Sequence, residues 1–197
     1  MHNTTEHAIR TILVGQSGGP TAAINASLAG VVRAAHAHGL RVLGMRNGIQ
    51  GFLDGNVIDL VEALELEVSE LETTKQAPTN SGEKNLQLLR KTPSSWLGSC
   101  RFKLPELADN LESAAISPIY QQIDAQLKKY QVDAVLYIGG NDSMDTTDKL
   151  SRYFSQVDSA VRVVGVPKTI DNDLEGTDHT PGFGSAARFV ASVTAEL

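Results

Sequence analysis

The sequence predicts an α/β fold: a doubly wound, mostly parallel sheet with helices on both faces. Three observations carry this. Short apolar runs at residues 11–15, 40–45, 132–138 and 161–166 alternate with stretches of helical periodicity. The third run, VDAVLYI, is almost continuously apolar, as in a strand buried on both sides. Two runs lead straight into glycine turns, Gly18-Gly19 and Gly139-Gly140, the strand–turn–helix punctuation of parallel units.

In chain order, residues 11–15 (TILVG) form the first strand, ending in Gln16-Ser17-Gly18-Gly19-Pro20. Ile24, Leu28, Val31, Val32 and Ala35 then recur at helical spacing, with Pro20 suited to the first turn and Gly39 to the stop. A strand, a glycine turn and a helix place free backbone N–H groups where an anion can sit. The turn has neither the Walker lysine nor dinucleotide spacing, so a ligand-free βα turn is its competing reading. His36 and His38 read as helix-end residues with no role. Residues 40–45 are a second strand, completing a βαβ unit. Residues 47–55 are turn-rich with one short helix, and 57–60 form a minor strand. Residues 61–71 carry a helical stripe (Val61, Leu64, Val68, Leu71) opposite a solvated acidic face.

Pro78, Pro93 and Gly98 interrupt the next region, which leaves one helix over 82–91. Arg101 follows Gly98-Ser99-Cys100 in a loop. Its planar guanidinium suits phosphate, although a surface arginine is the plainer reading. Cys100 reads as a small buried residue, because no nearby histidine or helix start would activate it. Ile116, Ile119, Ile123, Leu127 and Tyr130 mark a helix before the 132–138 strand. Met144, Leu150 and Phe154 mark another, before a further central strand at 161–166. Residues 182–197 form a helix without a terminal glycine, proline or polar tail.

Two polar, acidic loops follow the strands at 132–138 and 161–166. In the first, Asn141, Asp142 and Asp145 surround Ser143. In the second, Lys168 precedes Asp171 and Asp173, which bracket Asn172. Each alone reads as ordinary cap or turn chemistry. Together, at the carboxyl edge of a parallel sheet where ligands bind, they point to one site.

The 197 residues, 41% hydrophobic and 20% charged, suit one substantial α/β domain. Net charge is −6 with no basic run, which argues against nucleic acid as a partner. A phosphate ligand stays compatible, given local cations or a metal. A single cysteine excludes an intrachain disulfide framework, and no apolar run reaches the roughly 18 residues of a membrane span. With no signal-peptide pattern at the N-terminus, these features predict a cytoplasmic protein.

SGGPTAAINAS (17–27), GSCRF (98–102), GGNDS (139–143), PKTIDND (167–173) and GTDHTPGFGSA (176–186) occur in order along nearly the whole chain. In these motifs it resembles the phosphofructokinase family, and within it the pyrophosphate-dependent form. ATP-using members typically have glycine where this chain has Asp142 and Lys168. The resemblance implies reversible phosphoryl transfer from pyrophosphate to the 1-hydroxyl of fructose 6-phosphate with Mg²⁺, in a homo-oligomeric enzyme of much greater length. It implies that Asp171 is the general base, that Lys168 supplies a cation to the phosphoryl in flight, and that Asp142 repels a nucleotide. It further implies that Gly19, Arg101, Gly140 and Ser143 hold the donor, that Thr169, Ile170 and Asp171 meet the sugar, and that Asn141 and Asp173 lie by the metal. Asn141 departs from the family's usual aspartate, and a neutral amide is the weaker Mg²⁺ ligand.

Residues 1–197 are then expected to be an N-terminal donor-binding domain running into the start of a second domain. By themselves they would bind magnesium pyrophosphate weakly, transfer no phosphate and tend to associate. The alternatives are an ATP-dependent enzyme and a non-catalytic regulatory or binding subunit.

Overall fold

The computed structural model describes residues 8–66, 81–107 and 117–196. Neighbouring residues on a strand point to opposite faces of the sheet. Leu13, Leu43 and Tyr137 thus enter one core, while Val14, Val42 and Ile138 enter another. That division is the doubly wound layering the sequence predicts.

The strands are β1 (Thr11–Gln16), β2 (Arg41–Met45), β3 (Val57–Asp59), β4 (Ala134–Gly139) and β5 (Arg162–Pro167), in the spatial order β3-β2-β1-β4-β5. All neighbours run parallel except β3, which pairs antiparallel with β2. The central β1 and β4 are almost wholly buried. β5 departs from the expected central strand. It lies at the edge of the sheet, and Val164 is 50% exposed because no described strand pairs with its outer side.

Helices α1 (Ala22–Ala37), α3 (Leu60–Ala63) and α4 (Ser81–Lys91) cover one face, contributing Ile24, Leu28, Leu60, Leu86 and Leu89. Helices α2 (Gly48–Leu53), α5 (Pro118–Tyr130) and α6 (Asn141–Gln156) cover the other, contributing Phe52, Tyr120, Ile123, Leu150, Tyr153 and Phe154. Arg33 of α1 pairs with Glu83 of α4. Tyr153 sits between Tyr120 and Phe154, with ring centroids 5.1 and 5.2 Å apart. Such pairs add about 0.5–1.5 kcal/mol each beyond the area they bury.

Two boundaries differ from the periodicity. Pro20 precedes α1, and Thr21 caps it by accepting a hydrogen bond from Ala23 N. Within the described part of the helix expected over 61–71 there is a single turn, ended by Glu65 in a left-handed conformation (φ 55°) after Leu64; Val68 and Leu71 lie outside the described residues. Ile116 also lies outside them. The final helix, α7 (Phe183–Glu196), forms as predicted but buries none of its residues, leaving Phe189 and Val190 exposed.

Candidate active site

Strand register brings the site together. Gln16 is level with Ile138, Ile138 with Val166, and Gly139 with Pro167. The ladder continues one step past the strands: Ser17 N donates to Ile138 O, and Lys168 N to Gly139 O, both at 2.9 Å. The chain leaves β1 for α1 on one face and leaves β4 for α6 on the other. A crevice therefore opens between the two exits, at the topological switch point where such sheets bind ligands.

A cleft of about 300 Å³ fills this crevice. Gly19, Pro20 and Thr21 line it from the first turn, and Gly140 and Asn141 from the second. Lys168, Thr169, Ile170, Asp171 and Asp173 line it from the third. The two loops singled out in the sequence thus meet across one space, together with the Gly18-Gly19 turn.

Two glycines are required by the geometry. Gly18 has φ 80°, a conformation that side chains rarely adopt, and a Cβ there would lie 3.6 Å from Lys168 Nζ. The Lys168 ammonium therefore lies over the first glycine turn. A Cβ on Gly139 would meet Ser143 Oγ at 2.0 Å and Ser17 O at 2.9 Å. Gly139 lets α6 start tight against the end of β4. Gly140 then caps α6 without a side-chain bond, leaving the amides of the first turn facing the cleft end of the helix.

The other predicted residues sit at varied depths. Ser143 is buried beneath Gly139 and does not line the cleft. Asp142 stands in the first turn of α6, where the helix dipole favours a carboxylate. It too is outside the lining, with its oxygen 3.4 Å from Lys103 Nζ. Both partners are largely exposed, so the pair contributes little stability. Arg101 is exposed on the neighbouring loop. Burial lowers the pKa of Lys168 from its ordinary value, and the charge of Asp171 opposes that fall. An ammonium poised beside a carboxylate in an open cleft suits an anion carrying several charges.

The carboxylate and side-chain amide oxygens of the cleft lining come from Asn141, Asp171 and Asp173. Hard oxygen ligands suit Mg²⁺, which is commonly held by one or two carboxylates together with substrate phosphates. Among the described residues, no cluster of three or more His, Cys, Asp or Glu is arranged to hold a metal by itself. The set fits an ion that arrives with phosphate oxygens.

Residues the sequence did not single out hold the loop that carries Arg101. Gln16, wholly buried, donates to Ile24 O and Asn25 Oδ1 and accepts from Leu97 N at 2.8 Å. Asn25 Oδ1 also accepts from Trp96 N. Ser17 Oγ donates to Cys100 O, and Ser99 Oγ to Gly18 O. Beyond Arg101, Tyr120 donates to Pro105 O, while buried Lys149 pairs with Glu106 and Asp145. Those carboxylates hold the Lys149 pKa above its ordinary value. A polar residue in a strand-exit position, such as Gln16, was the available signal. Gln16→Leu is expected to strand the Leu97 amide, costing about 1–3 kcal/mol for that group alone. Urea unfolding measures it, and an unchanged midpoint would remove Gln16 from this role.

The fold and this cleft define an open, mostly parallel α/β protein with a polar cleft at its topological switch point. The phosphofructokinase family model matches residues 11–197, and the chain belongs to that family. It is 39% identical over 180 residues to the pyrophosphate–fructose 6-phosphate 1-phosphotransferase of Xanthomonas campestris pv. campestris, covering 91% of this chain and 37% of that protein. To the protein of the same name from Rhodospirillum rubrum it is 40% identical over 182 residues, covering 91% and 38%. The crystal structure of the pyrophosphate-dependent phosphofructokinase from Nitrosospira multiformis superposes with a TM-score of 0.73 at 34% identity, covering 96% of this chain and 41% of that one. The chain thus spans about two-fifths of the length of these relatives. Among the described residues, no helix is long and apolar enough to cross a membrane.

Proposed function

We propose that the protein transfers a phosphoryl group reversibly from pyrophosphate to the 1-hydroxyl of fructose 6-phosphate, yielding fructose 1,6-bisphosphate and phosphate. The supporting observation is the Lys168 ammonium lying over the Gly18 turn with Asp171 beside it in one cleft. Pyrophosphate sits on the glycine turn and the α6 N-terminus, with Arg101 closing over it. Mg²⁺ bound with it would be held by Asp173 and the Asn141 amide oxygen, and would neutralise phosphate charge. Thr169 and Ile170 orient the sugar, and Asp171 accepts its hydroxyl proton. The sugar oxygen then bonds to phosphorus as the bridging P–O bond breaks, and phosphate leaves. Lys168 stabilises charge on the group in flight.

ATP as donor is the second reading, and one observation favours it. Asp142 is drawn toward Lys103 and outside the cleft lining, which leaves the nucleotide path less obstructed. Assaying the longest natural form of the chain with pyrophosphate and ATP side by side separates the two. In that form, Asp142→Gly combined with Lys168→Gly is expected to weaken pyrophosphate use and admit ATP. Full pyrophosphate activity in both single variants, with ATP still refused, would defeat this account of donor choice.

A further inference from the structure

We infer that Asn172 is a positioning residue that sets the two acids of the cleft, Asp171 and Asp173, through a side-chain staple across their loop. The inference rests on the proposed phosphoryl transfer for its catalytic consequence, but the staple stands on geometry. Asn172 adopts a left-handed conformation (φ 58°) between the two acids. Asparagine is among the few side chains that tolerate this region, so the chain can turn there at little cost.

Its amide is used at both ends. Nδ2 donates to Asp178 O at 3.3 Å, and Oδ1 accepts from Thr180 N at 2.9 Å. One side chain thus closes residues 172–180 into a loop. Thr180 is wholly buried, although residues 175–179 and Pro181 around it are exposed. The staple therefore reaches a fixed point in an otherwise solvated segment. Before it, Thr169 Oγ1 accepts from Asp171 N at 3.0 Å. Ile170 packs above Gly182, where a Cβ would lie 3.1 Å from Ile170 Cγ2. Asp171 is consequently held between a threonine turn on one side and the asparagine staple on the other, and Asp173 follows the same turn.

A general base placed this way loses rate when its support loosens, because in-line transfer tolerates little displacement. Most of the proposed donor contacts, on the Gly18 turn and α6, lie outside this loop, which reaches the donor only through the Lys168 ammonium and the metal contact of Asp173. Asn172→Gly keeps the backbone conformation and removes only the staple, whereas Asn172→Ala disturbs both. In the longest natural form, Asn172→Gly is expected to lower kcat about 10-fold to 10²-fold, and Asn172→Ala further. KM for pyrophosphate is expected to stay within about two-fold, the pattern of a lost transition-state arrangement. Unchanged kcat in Asn172→Gly overturns the inference, and so does a raised KM for pyrophosphate with kcat intact. If the unsubstituted protein transfers no phosphate from pyrophosphate, the proposed function fails by itself. The staple is then decided by carbon NMR of the Asp171 and Asp173 carboxyl groups in both proteins. Resonances shifted or broadened in Asn172→Gly support it, and superimposable spectra overturn it.

Discussion

Asp171→Asn is expected to reduce turnover by about 10²–10⁴-fold, the range typical of a lost general base. Asparagine keeps the size and polarity of the side chain, so the loop from Lys168 to Asp173 retains its shape. It cannot accept the sugar proton at neutral pH. Pyrophosphate binding is expected to change little, because the donor contacts lie on the Gly18 turn and the start of α6 rather than on this carboxylate. The same substitution also removes the charge that opposes the fall in the Lys168 pKa. Steady-state kinetics with calorimetric binding of magnesium pyrophosphate, in the longest natural form, distinguish the effects. Turnover within a few-fold of the unsubstituted protein would exclude Asp171 as the base.

Lys168→Met is expected to cost about 10²–10³ in kcat, the scale for removing one preorganised charge-stabilising donor. The reason is its position: the backbone continues the β4–β5 ladder, and the ammonium is delivered over the Gly18 turn. Burial lowers its pKa, which fixes the sign of the pH dependence. The charged form is lost below the ordinary lysine range, so the alkaline limb of the rate profile falls early. Lys168→Arg carries a guanidinium that does not titrate there, and it is expected to move that limb upward. For stability, the unfolded chain holds this proton more tightly than the folded one. The penalty is full at low pH and is relieved as pH rises through the folded value toward 10.5. A rate profile identical in the lysine and arginine forms would separate Lys168 from the chemistry.

The acidic loops were legible in the sequence because they interrupt apolar runs. Glycine, asparagine and aspartate directly after a buried strand have few reasons to be there other than a turn or a ligand. β1, β2, β4, α1 and α6 were legible for a related reason, as their burial on a sheet imposes a period on the residues. The stretch at 61–71 was less so, because the left-handed turn at Glu65 leaves no periodic trace. Leu64 looks equally helical whether the chain continues or stops there.

The edge position of β5 was also hidden, since VRVVGV is apolar enough for a central strand and pairing partners are not written locally. The loop motifs, by contrast, could be picked out in the sequence, but the depths of their residues could not. Ser143 and Asp142 are adjacent in sequence, yet one is buried under Gly139 and the other reaches out toward Lys103. Helix phase decides that, and it depends on where Gly140 lets α6 begin.

By itself, the sequence determined the layered α/β architecture, the glycine turns and the residue types at three strand exits, because burial period and turn chemistry are local properties. Only the tertiary structure decided that Gly19, Gly140 and Lys168 share one cleft, and that Gln16, Lys149 and Asn172 hold its loops. Those relations depend on parallel register and on hydrogen bonds between residues far apart in the chain, such as Gln16 with Leu97. No local pattern encodes which distant backbone amide a buried side chain will meet; the packing of the two faces does.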